Sequence, residues 1–130
     1  MNYIVADFVS GIKNAVNAKR REAVLPMSKL NIEIGKVLIK EGFLEEVKED
    51  VVLNKKVMRT KLRYDKRTPR FIDAVLISKP SLRKYISSKN IQDIEKRGKK
   101  TLIISTSQGV MTGKEAIKKG IGGEILFAIW

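Results

Sequence analysis

The excess of basic residues is the strongest constraint on this chain, because 27 lysines and arginines face only 14 aspartates and glutamates. The resulting net charge of +13 must lie on the surface, since an unpaired charge is very costly to bury. With 43% hydrophobic residues, the 130-residue chain is nevertheless too apolar to stay disordered. We therefore expect a folded body with a cationic surface, and such a surface attracts polyanions.

Cysteine and histidine are both absent from the sequence. Their absence excludes a disulfide framework, a zinc finger, a haem site and any serine or cysteine nucleophile that imidazole would activate. No apolar stretch approaches the roughly 20 residues that a membrane span needs, and residues 1–10 do not have the basic start of a targeting leader. Most familiar enzyme chemistry is thereby excluded, and we expect a soluble intracellular protein.

Apolar spacing predicts two helices and a sheet in the first half of the chain. Apolar residues recur at every fourth position from Ile4 to Val16, which predicts a first helix with one apolar side. Ser28 is a typical N-cap for a second helix, and Gly42 is its natural end. From Phe43 to Tyr64 the apolar period changes to two, which predicts strands of a small antiparallel sheet.

The polar segment 65–70 contains a proline and no apolar residue, and it favours a boundary between two subdomains. Residues 1–65 hold 13 basic and 9 acidic residues, a net charge of +4, whereas residues 66–130 hold 14 and 5, a net charge of +9. We predict an α+β fold with N-terminal helices on a short antiparallel sheet in residues 1–65. Residues 66–130 are expected to form a mostly β subdomain with a short helix, and its higher charge indicates the main polyanion-binding part.

The second half of the chain has a strand-rich pattern. Strands are predicted over residues 71–77, 82–86, 101–105 and 124–130. The last of these is almost continuously apolar, so we expect it to lie at the centre of the sheet. A short helix is expected through Ile91 and Ile94, and the capping-box spacing of Thr112 and Glu115 predicts another brief helix to Lys118.

Two segments rich in hydroxyl groups and glycine carry the most functional information. Ser105, Thr106 and Ser107 precede Gly109 at a predicted strand end, a pattern that presents small donors and acceptors in a turn. The glycine-rich segment 120–124 would let another backbone come close. If the two segments lie side by side, they form a concave polar surface suited to the bases, riboses and phosphates of an irregular RNA. The alternative is a pair of ordinary turns.

Other segments have simpler explanations. Residues 109–115 superficially resemble a phosphate loop, but only three residues separate the glycines, and a glutamate follows the lysine. The acidic cluster 45–50 has no calcium-binding spacing and is expected to be a solvated hairpin end. The basic run 96–100 fits a solubilising surface or a phosphate contact equally well. The first helix could also lie on an anionic membrane, but its apolar side has no tryptophan, so packing on a core is favoured.

An enzymatic alternative would place a magnesium-dependent, nucleic-acid-modifying site at Glu124. Such a site needs a second carboxylate beside it, and the C-terminal half offers Asp73, Asp93 and Glu115 as candidates. The hypothesis that the residues favour is a structural RNA-binding protein without catalysis, in which charge provides general affinity and the small-residue loops provide the choice of site.

Taken together, these segments resemble a known family. Ser105–Ser107, Gly109–Thr112 and Gly122–Ile125 are similar to the C-terminal signature of the bacterial-type family of the eighth protein of the small ribosomal subunit. Further matches follow in the family's order, at Ala6–Asp7, Ile12–Asn14, Ser28–Leu30, Glu41–Phe43, Ser78–Pro80, Leu82–Arg83 and Tyr85. The resemblance spans nearly the whole chain.

The resemblance implies a two-subdomain α+β protein that binds the central domain of small-subunit ribosomal RNA early in assembly. It implies a place in the cytoplasmic ribosome beside other small-subunit proteins, with no cofactor, no metal ion, no catalytic residue and no membrane partner. In several bacteria, the family also represses its own operon by binding the messenger. The residues that the resemblance assigns to RNA are Ser105, Thr106, Ser107, Gly109, Thr112, Gly122, Gly123, Glu124, Tyr85, Lys79 and Arg83 in the C-terminal part, and Lys13, Asn14 and Lys29 in the N-terminal part.

The sequence departs from the family pattern at three positions of the C-terminal part. Lys79 stands where arginine is usual, which keeps the charge but loses bidentate geometry. Ser81 replaces a common glycine, and Gln108 stands where a basic residue is frequent. One phosphate contact is therefore expected to be missing, and Lys118 and Lys119 are candidates to compensate.

Overall fold

The computed structural model describes residues 4–95, 98 and 100–130, and the chain divides into two units, residues 1–72 and 73–130. Helices and antiparallel strands occur in both units, which confirms the predicted α+β class.

Charge is distributed almost evenly between the two units. The first holds 16 basic and 9 acidic residues, and the second holds 11 and 5, so the net charges are +7 and +6. The contrast expected between the two halves of the chain is therefore absent between the units, because Lys66, Arg67 and Arg70 belong to the first of them.

Helix α1 (Ile4–Asn17) buries one side, as predicted. The buried residues are Val5, Phe8, Val9, Ile12 and Ala15. This face is turned slightly from the expected stripe, and Ile4 is 37% exposed. The reason is that a helix completes a turn in 3.6 residues, so a strict spacing of four drifts around its axis.

Helix α2 (Lys29–Lys40) begins and ends as predicted. The Asn31 N–H donates to Ser28 Oγ at 3.0 Å, which satisfies one of the free donors of the first turn. Gly42 follows the last turn with a φ of 87°, a left-handed conformation that a side chain would disfavour. Ile34 and Leu38 are fully buried on the inner side of the helix.

Three antiparallel strands complete the main body of the first unit, with β3 between its neighbours: β1 (Glu22–Pro26), β2 (Leu44–Val52) and β3 (Lys55–Leu62). Met58, Thr60 and Leu62 alternate into the interior, as the period of two predicted. The Thr60 hydroxyl donates to the Ala23 carbonyl at 2.9 Å, so this buried polar group is paired. Strand β2 is continuous through its charged residues, because its backbone pairs with β3 along its length.

The polar segment after β3 forms a hairpin within the first unit. Strands β4 (Tyr64–Asp65) and β5 (Thr68–Pro69) pair with each other, and Lys66 and Arg67 are the two residues of the turn. Proline is tolerated at the edge of such a short ladder, since it has no N–H to donate.

The second unit is a sheet covered by two helices. Its elements are β6 (Ala74–Leu76), β7 (Tyr85–Ile86), α3 (Ser88–Glu95), β8 (Thr101–Thr106), β9 (Gly109–Thr112), α4 (Gly113–Lys119) and β10 (Gly123–Ile129). Strand β10 pairs with β6 and β7 on one side and with β8 on the other, so its predicted central position is confirmed. The two strands before α3 are shorter than predicted, because Phe71 and Ile72 lie before β6 and residues 79–84 form a loop.

Apolar side chains from the sheet and from α3 and α4 form the core of this unit. Its buried members are Ile91, Leu102, Ile104, Met111, Ala116, Ile125 and Ala128. Helix α4 begins at Thr112, whose Oγ1 accepts from the Glu115 N–H at 3.3 Å, as the capping-box spacing predicted. Thr112 is the last residue of β9 and pairs with Ile103, so the cap lies at the opposite end of β9 from the turn to β8.

The cap of α2 provides a test of the fold. Replacing Ser28 by alanine removes the acceptor of the Asn31 N–H, and we expect the free energy of unfolding to fall by about 1 kcal/mol. Chemical denaturation measures the change. Ser28→Asp keeps an acceptor at this position and should retain most of the stability, so an equal loss in both variants would contradict the assigned cap.

Candidate RNA interface

The hydroxyl-rich segment forms the tight hairpin between β8 and β9. Ser107 and Gln108 make the turn, and Gly109 starts β9 with a φ of 110°. The Thr106 hydroxyl donates to the Gly109 carbonyl at 2.7 Å and accepts from the Gln108 N–H at 3.1 Å. Thr106 therefore organises the turn, and the Ser107 side chain is exposed at its tip.

The glycine cluster brings three strands together. Glu124 pairs with Ser105 on one side of β10 and with Tyr85 on the other. A Cβ on Gly123 would overlap the carbonyl oxygen of Ser105, and a Cβ on Gly122 would overlap that of Ile86 and lie 2.9 Å from Ser87 Cα. The hydroxyl segment and the glycine segment thus lie side by side, and the close approach requires glycine at both positions.

A row of laterally paired residues crosses the sheet at this point. Register places Tyr85, Glu124, Ser105 and Val110 next to one another on β7, β10, β8 and β9. Laterally paired residues project from the same face of a sheet. Tyr85 is 74% exposed, whereas Ile104 and Ile125, the next residues along β8 and β10, point into the core. We call Tyr85, Glu124, Ser105 and the Ser107 turn the polar row.

The carboxylate in the polar row is neutralised. Arg83 Nη1 lies 3.2 Å from Glu124 Oε2, and the Glu124 side chain is 17% exposed. The loop that carries Arg83 is fixed by the buried Ser78, whose Oγ accepts from the Lys84 N–H at 2.9 Å. Lys79 lies on the same loop and is exposed. The loop therefore adds cations beside the row and reduces the repulsion that Glu124 would exert on a phosphate.

Two of the predicted RNA contacts have hydroxyls that bind the protein's own backbone. Thr112 is 3% exposed, and its hydroxyl caps α4. The Thr106 hydroxyl is occupied within its own turn. By contrast, the hydroxyls of Ser105 and Ser107 make no hydrogen bond with any residue in the described ranges. These two serines are the hydroxyl groups that remain open to a ligand.

The N-terminal candidates lie on the two helices of the first unit. Lys13 and Asn14 lie on α1, where Lys13 is half-buried and Asn14 is exposed. Lys29 is exposed at the first position of α2. These three residues are not part of the strand pairing that places Tyr85, Glu124 and Ser105 in one row.

The basic run 96–100 lies partly outside the described residues, at Lys96, Arg97 and Lys99. Of the remainder, Lys100 places its Nζ 4.5 Å from the centroid of the Trp130 ring, a cation–π contact. The choice between a solubilising run and a phosphate contact therefore stays open.

The acidic cluster on β2 is paired with basic residues of the same sheet. Asp50 Oδ2 lies 2.7 Å from Arg59 Nε, and Glu45 lies 3.6 Å from Lys61. The hydrogen bond from Arg59 lowers the pKa of Asp50 below its ordinary value. Across residues 4–95, 98 and 100–130, no three acidic side chains are grouped so that they could hold a metal ion. In the same ranges, no helix combines the length and apolar character needed to cross a membrane.

Ser78 is a residue of this site that sequence reasoning did not assign. It was quoted within the family resemblance, but nothing in its neighbours signals a buried hydroxyl that closes the loop to Lys84. Its partner is a backbone N–H six positions away, and local sequence patterns do not report such contacts.

Comparison with known proteins decides the family. The family model of ribosomal protein S8 matches residues 3–130. The chain belongs to this family. The small ribosomal subunit protein uS8 of Methylacidiphilum infernorum is 39% identical over 127 residues, covering 97% of this chain and 96% of the relative. The protein of the same name from Vesicomyosocius okutanii is 36% identical over 126 residues, covering 97% of this chain and 95% of the relative.

Membership of the S8 family confirms the resemblance found in the sequence, and the match covers nearly the whole chain, as the resemblance did. A third relative, the small ribosomal subunit protein uS8 of Lacticaseibacillus casei, is 38% identical over 129 residues, with 97% and 96% of the two chains covered. The S8 family consists of structural proteins of the ribosome and not of enzymes, in agreement with the non-catalytic role expected from the residues.

The close approach at Gly123 can be tested by adding one methyl group. In Gly123→Ala, the new Cβ meets the backbone of Ser105, which cannot move without shifting β8. We expect a loss of about 1–3 kcal/mol in the free energy of unfolding, as in overpacked cores. Thermal unfolding measures it. Gly98→Ala is the control, because among the described residues the atom nearest its Cβ is the Lys100 backbone nitrogen at 3.8 Å. Equal stability of both variants would show that β10 does not need glycine here.

Proposed function

We propose that this chain is a primary RNA-binding protein of the small ribosomal subunit, which recognises the central domain of the small-subunit RNA through the polar row. The observation that supports the proposal is the meeting of three elements at one edge of the sheet: the Ser107 turn, Gly122 and Gly123 at the start of β10, and the exposed Tyr85 of β7. The names of the relatives supply the ribosome as the context.

The chemistry of the row fits a folded RNA better than a regular duplex. The serine hydroxyls both donate and accept hydrogen bonds, so they can bind 2′-hydroxyl groups and either the donor or the acceptor groups of base edges. Gly122 and Gly123 let the strands come close enough to form the row, because a Cβ at either position would meet the backbone of Ile86 or Ser105. Tyr85 offers an exposed ring on which an unstacked base can lie.

Charge provides the general affinity for RNA. Lys79, Arg83 and Lys84 are exposed in the loop that borders the row, and the second unit has a net charge of +6. Contacts of these side chains with phosphates hold the RNA but do not read its sequence. Selectivity then comes from the serines and Tyr85, whose small or planar groups require an irregular RNA surface.

The same surface would serve a regulatory role if the operon messenger folds like the ribosomal site. A messenger segment that presents the same unpaired bases and 2′-hydroxyls would compete for the polar row. Repression of the operon is therefore part of the proposal, and competition between the two RNAs for the purified protein tests it.

Removing one hydroxyl tests the assignment of the row. In Ser107→Ala, the lost hydrogen bonds should weaken binding to a central-domain RNA fragment by roughly 5- to 30-fold, which corresponds to about 1–2 kcal/mol. The stability of the protein should hardly change, because the Ser107 side chain is exposed. Filter binding and a thermal scan measure the two quantities.

Two controls complete this test. Ser10→Ala removes an exposed hydroxyl on α1 and should leave the affinity for the fragment within about twofold. An unrelated duplex of equal length should bind weakly to the wild type, and equally weakly to Ser107→Ala. If the wild type binds both RNAs with equal affinity, or if Ser107→Ala loses mainly stability, the segment is an ordinary turn and the proposal fails.

A further inference from the structure

A second cationic surface lies in the first unit, and none of the residues assigned to RNA above lines it. It is a groove of about 430 Å³, lined by Val16, Lys19, Arg21, Tyr64, Arg67 and Pro69. We call it the basic groove. Its volume is within the range of roughly 300–1,000 Å³ that is common for ligand sites.

Two loops that are distant in sequence are tied together to make the groove. The Tyr64 hydroxyl donates to the Arg20 carbonyl at 2.9 Å, and the Leu62 N–H donates to the Arg21 carbonyl at 2.8 Å. The Arg21 guanidinium lies over the Tyr64 ring, 4.9 Å from its centroid. The floor of the groove is therefore a fixed aromatic and guanidinium stack, with the apolar surfaces of Val16 and Pro69 beside it.

The charge around the basic groove is strongly one-sided. Segments 16–21 and 63–69 contain a single acidic residue, Asp65, which pairs with Arg70 at 3.0 Å. The cations of these segments are all exposed: Lys19, Arg20, Arg21, Arg63, Lys66 and Arg67. None of these six forms an ion pair with a residue in the described ranges. Such an uncompensated cluster repels itself, and an anionic ligand would relieve that repulsion.

Two of these cations have a strained backbone conformation: Lys19 in the groove lining, and Lys66 next to the lining residue Arg67. Lys19 has a φ of 58° at the end of α1, where the Arg20 N–H bonds to the Ala15 carbonyl and the Lys19 N–H to the Val16 carbonyl. This is a Schellman ending, whose left-handed residue is usually glycine. Lys66 has a φ of 62° in the turn between β4 and β5, another position that favours glycine. At both positions a lysine stands where a side chain carries a conformational cost.

We propose that the basic groove binds a nucleotide of RNA and forms a second RNA contact in the first unit. The guanidinium of Arg67 and the ammonium of Lys19 face a phosphate, and the base or ribose lies against Tyr64 and its stacked Arg21. Exposed guanidinium groups match phosphate oxygens in pairs, and planar stacks accept bases without regard to sequence. An acidic protein segment would use the cations but not the stack. The inference rests on the proposed function in that ribosomal RNA is the ligand, but it does not depend on the polar row.

The test removes the two guanidinium groups that border the groove. Arg21→Ala/Arg67→Ala should weaken binding to full-length small-subunit RNA about tenfold, and it should lower the slope of log affinity against log salt by roughly 0.7–0.9, the value for the one phosphate contact assigned to Arg67. Lys55→Ala/Lys56→Ala is the matched control, because it removes two exposed cations from another hairpin of the same unit. The control should change the affinity by less than about threefold.

A second variant keeps the test valid if Arg21 supports the fold through Tyr64. Arg67→Ala alone changes an exposed turn residue, and it should lower the salt slope by roughly 0.7–0.9 without altering the melting temperature. Arg67→Lys keeps the charge and should restore the slope but not the full affinity.

A positional readout uses the absence of cysteine from the chain. Thr68→Cys next to the groove provides a unique thiol for a tethered hydroxyl-radical probe, which should cut the small-subunit RNA at a discrete place. Loss of that cleavage in a Thr68→Cys/Arg67→Ala background, with the effect of Ser107→Ala unchanged, supports the groove as a separate contact.

Two outcomes would overturn the inference about the basic groove and leave the proposed function of the polar row unaffected. The first is an Arg21→Ala/Arg67→Ala variant that matches the Lys55→Ala/Lys56→Ala control in affinity and salt slope. The second is a variant that binds RNA like the wild type but fails to enter reconstituted small subunits, because the groove would then hold a protein. Failure of the proposed function appears differently, as a Ser107→Ala variant with unchanged affinity for the central-domain fragment.

Discussion

The approach of three backbones at the start of β10 is the constraint on which the rest of the second unit depends. Gly122 lies against the Ile86 carbonyl and Gly123 against that of Ser105, with no room for a side chain at either place. Because the strands come this close, Tyr85, Glu124 and Ser105 stand in one lateral row. The same pairing turns Ile104 and Ile125 into the core, so a single register fixes both the stability of the unit and its exposed surface.

Hydroxyl groups have two distinct tasks in this protein. Those of Ser28, Thr60, Ser78, Thr106 and Thr112 bind backbone groups and hold caps, turns and loops in place. Those of Ser105 and Ser107 stay uncommitted among the described residues. Substituting a hydroxyl of the first kind should reduce stability, whereas substituting one of the second kind should reduce only RNA binding, because no internal partner is left unsatisfied.

Sequence patterns predicted the parts of the fold that depend on local chemistry. The caps at Ser28 and Thr112, the left-handed Gly42 and the central strand β10 each follow from residues within a few positions of one another. Strand β9 was missed as a strand, because its glycine and hydroxyl residues are typical of turns and its pairing with β8 is what makes it extended.

The sequence indicated the hydroxyl and glycine segments of the candidate site, but it did not indicate which side chains are buried or which distant residues meet. The hydroxyl and glycine segments were recognised from their composition, and the spacing to Glu115 indicated the Thr112 cap. The burial of Thr112 was not predicted, because it depends on how α4 packs. The basic groove was also invisible in sequence. Arg20 and Tyr64, whose hydrogen bond joins its two sides, are 44 positions apart, and a boundary placed at residue 65 divides its lining.

The most direct test of the central claim is a titration of the isotopically labelled protein with a central-domain RNA fragment, followed by backbone amide chemical shifts. The account predicts that the largest shifts in the second unit occur at Tyr85, at residues 105–109 and at residues 122–124, with small shifts along α3. Unchanged amides at these positions, together with large shifts confined to α3 or to the β2–β3 hairpin, would show that the RNA is bound elsewhere and would contradict the account.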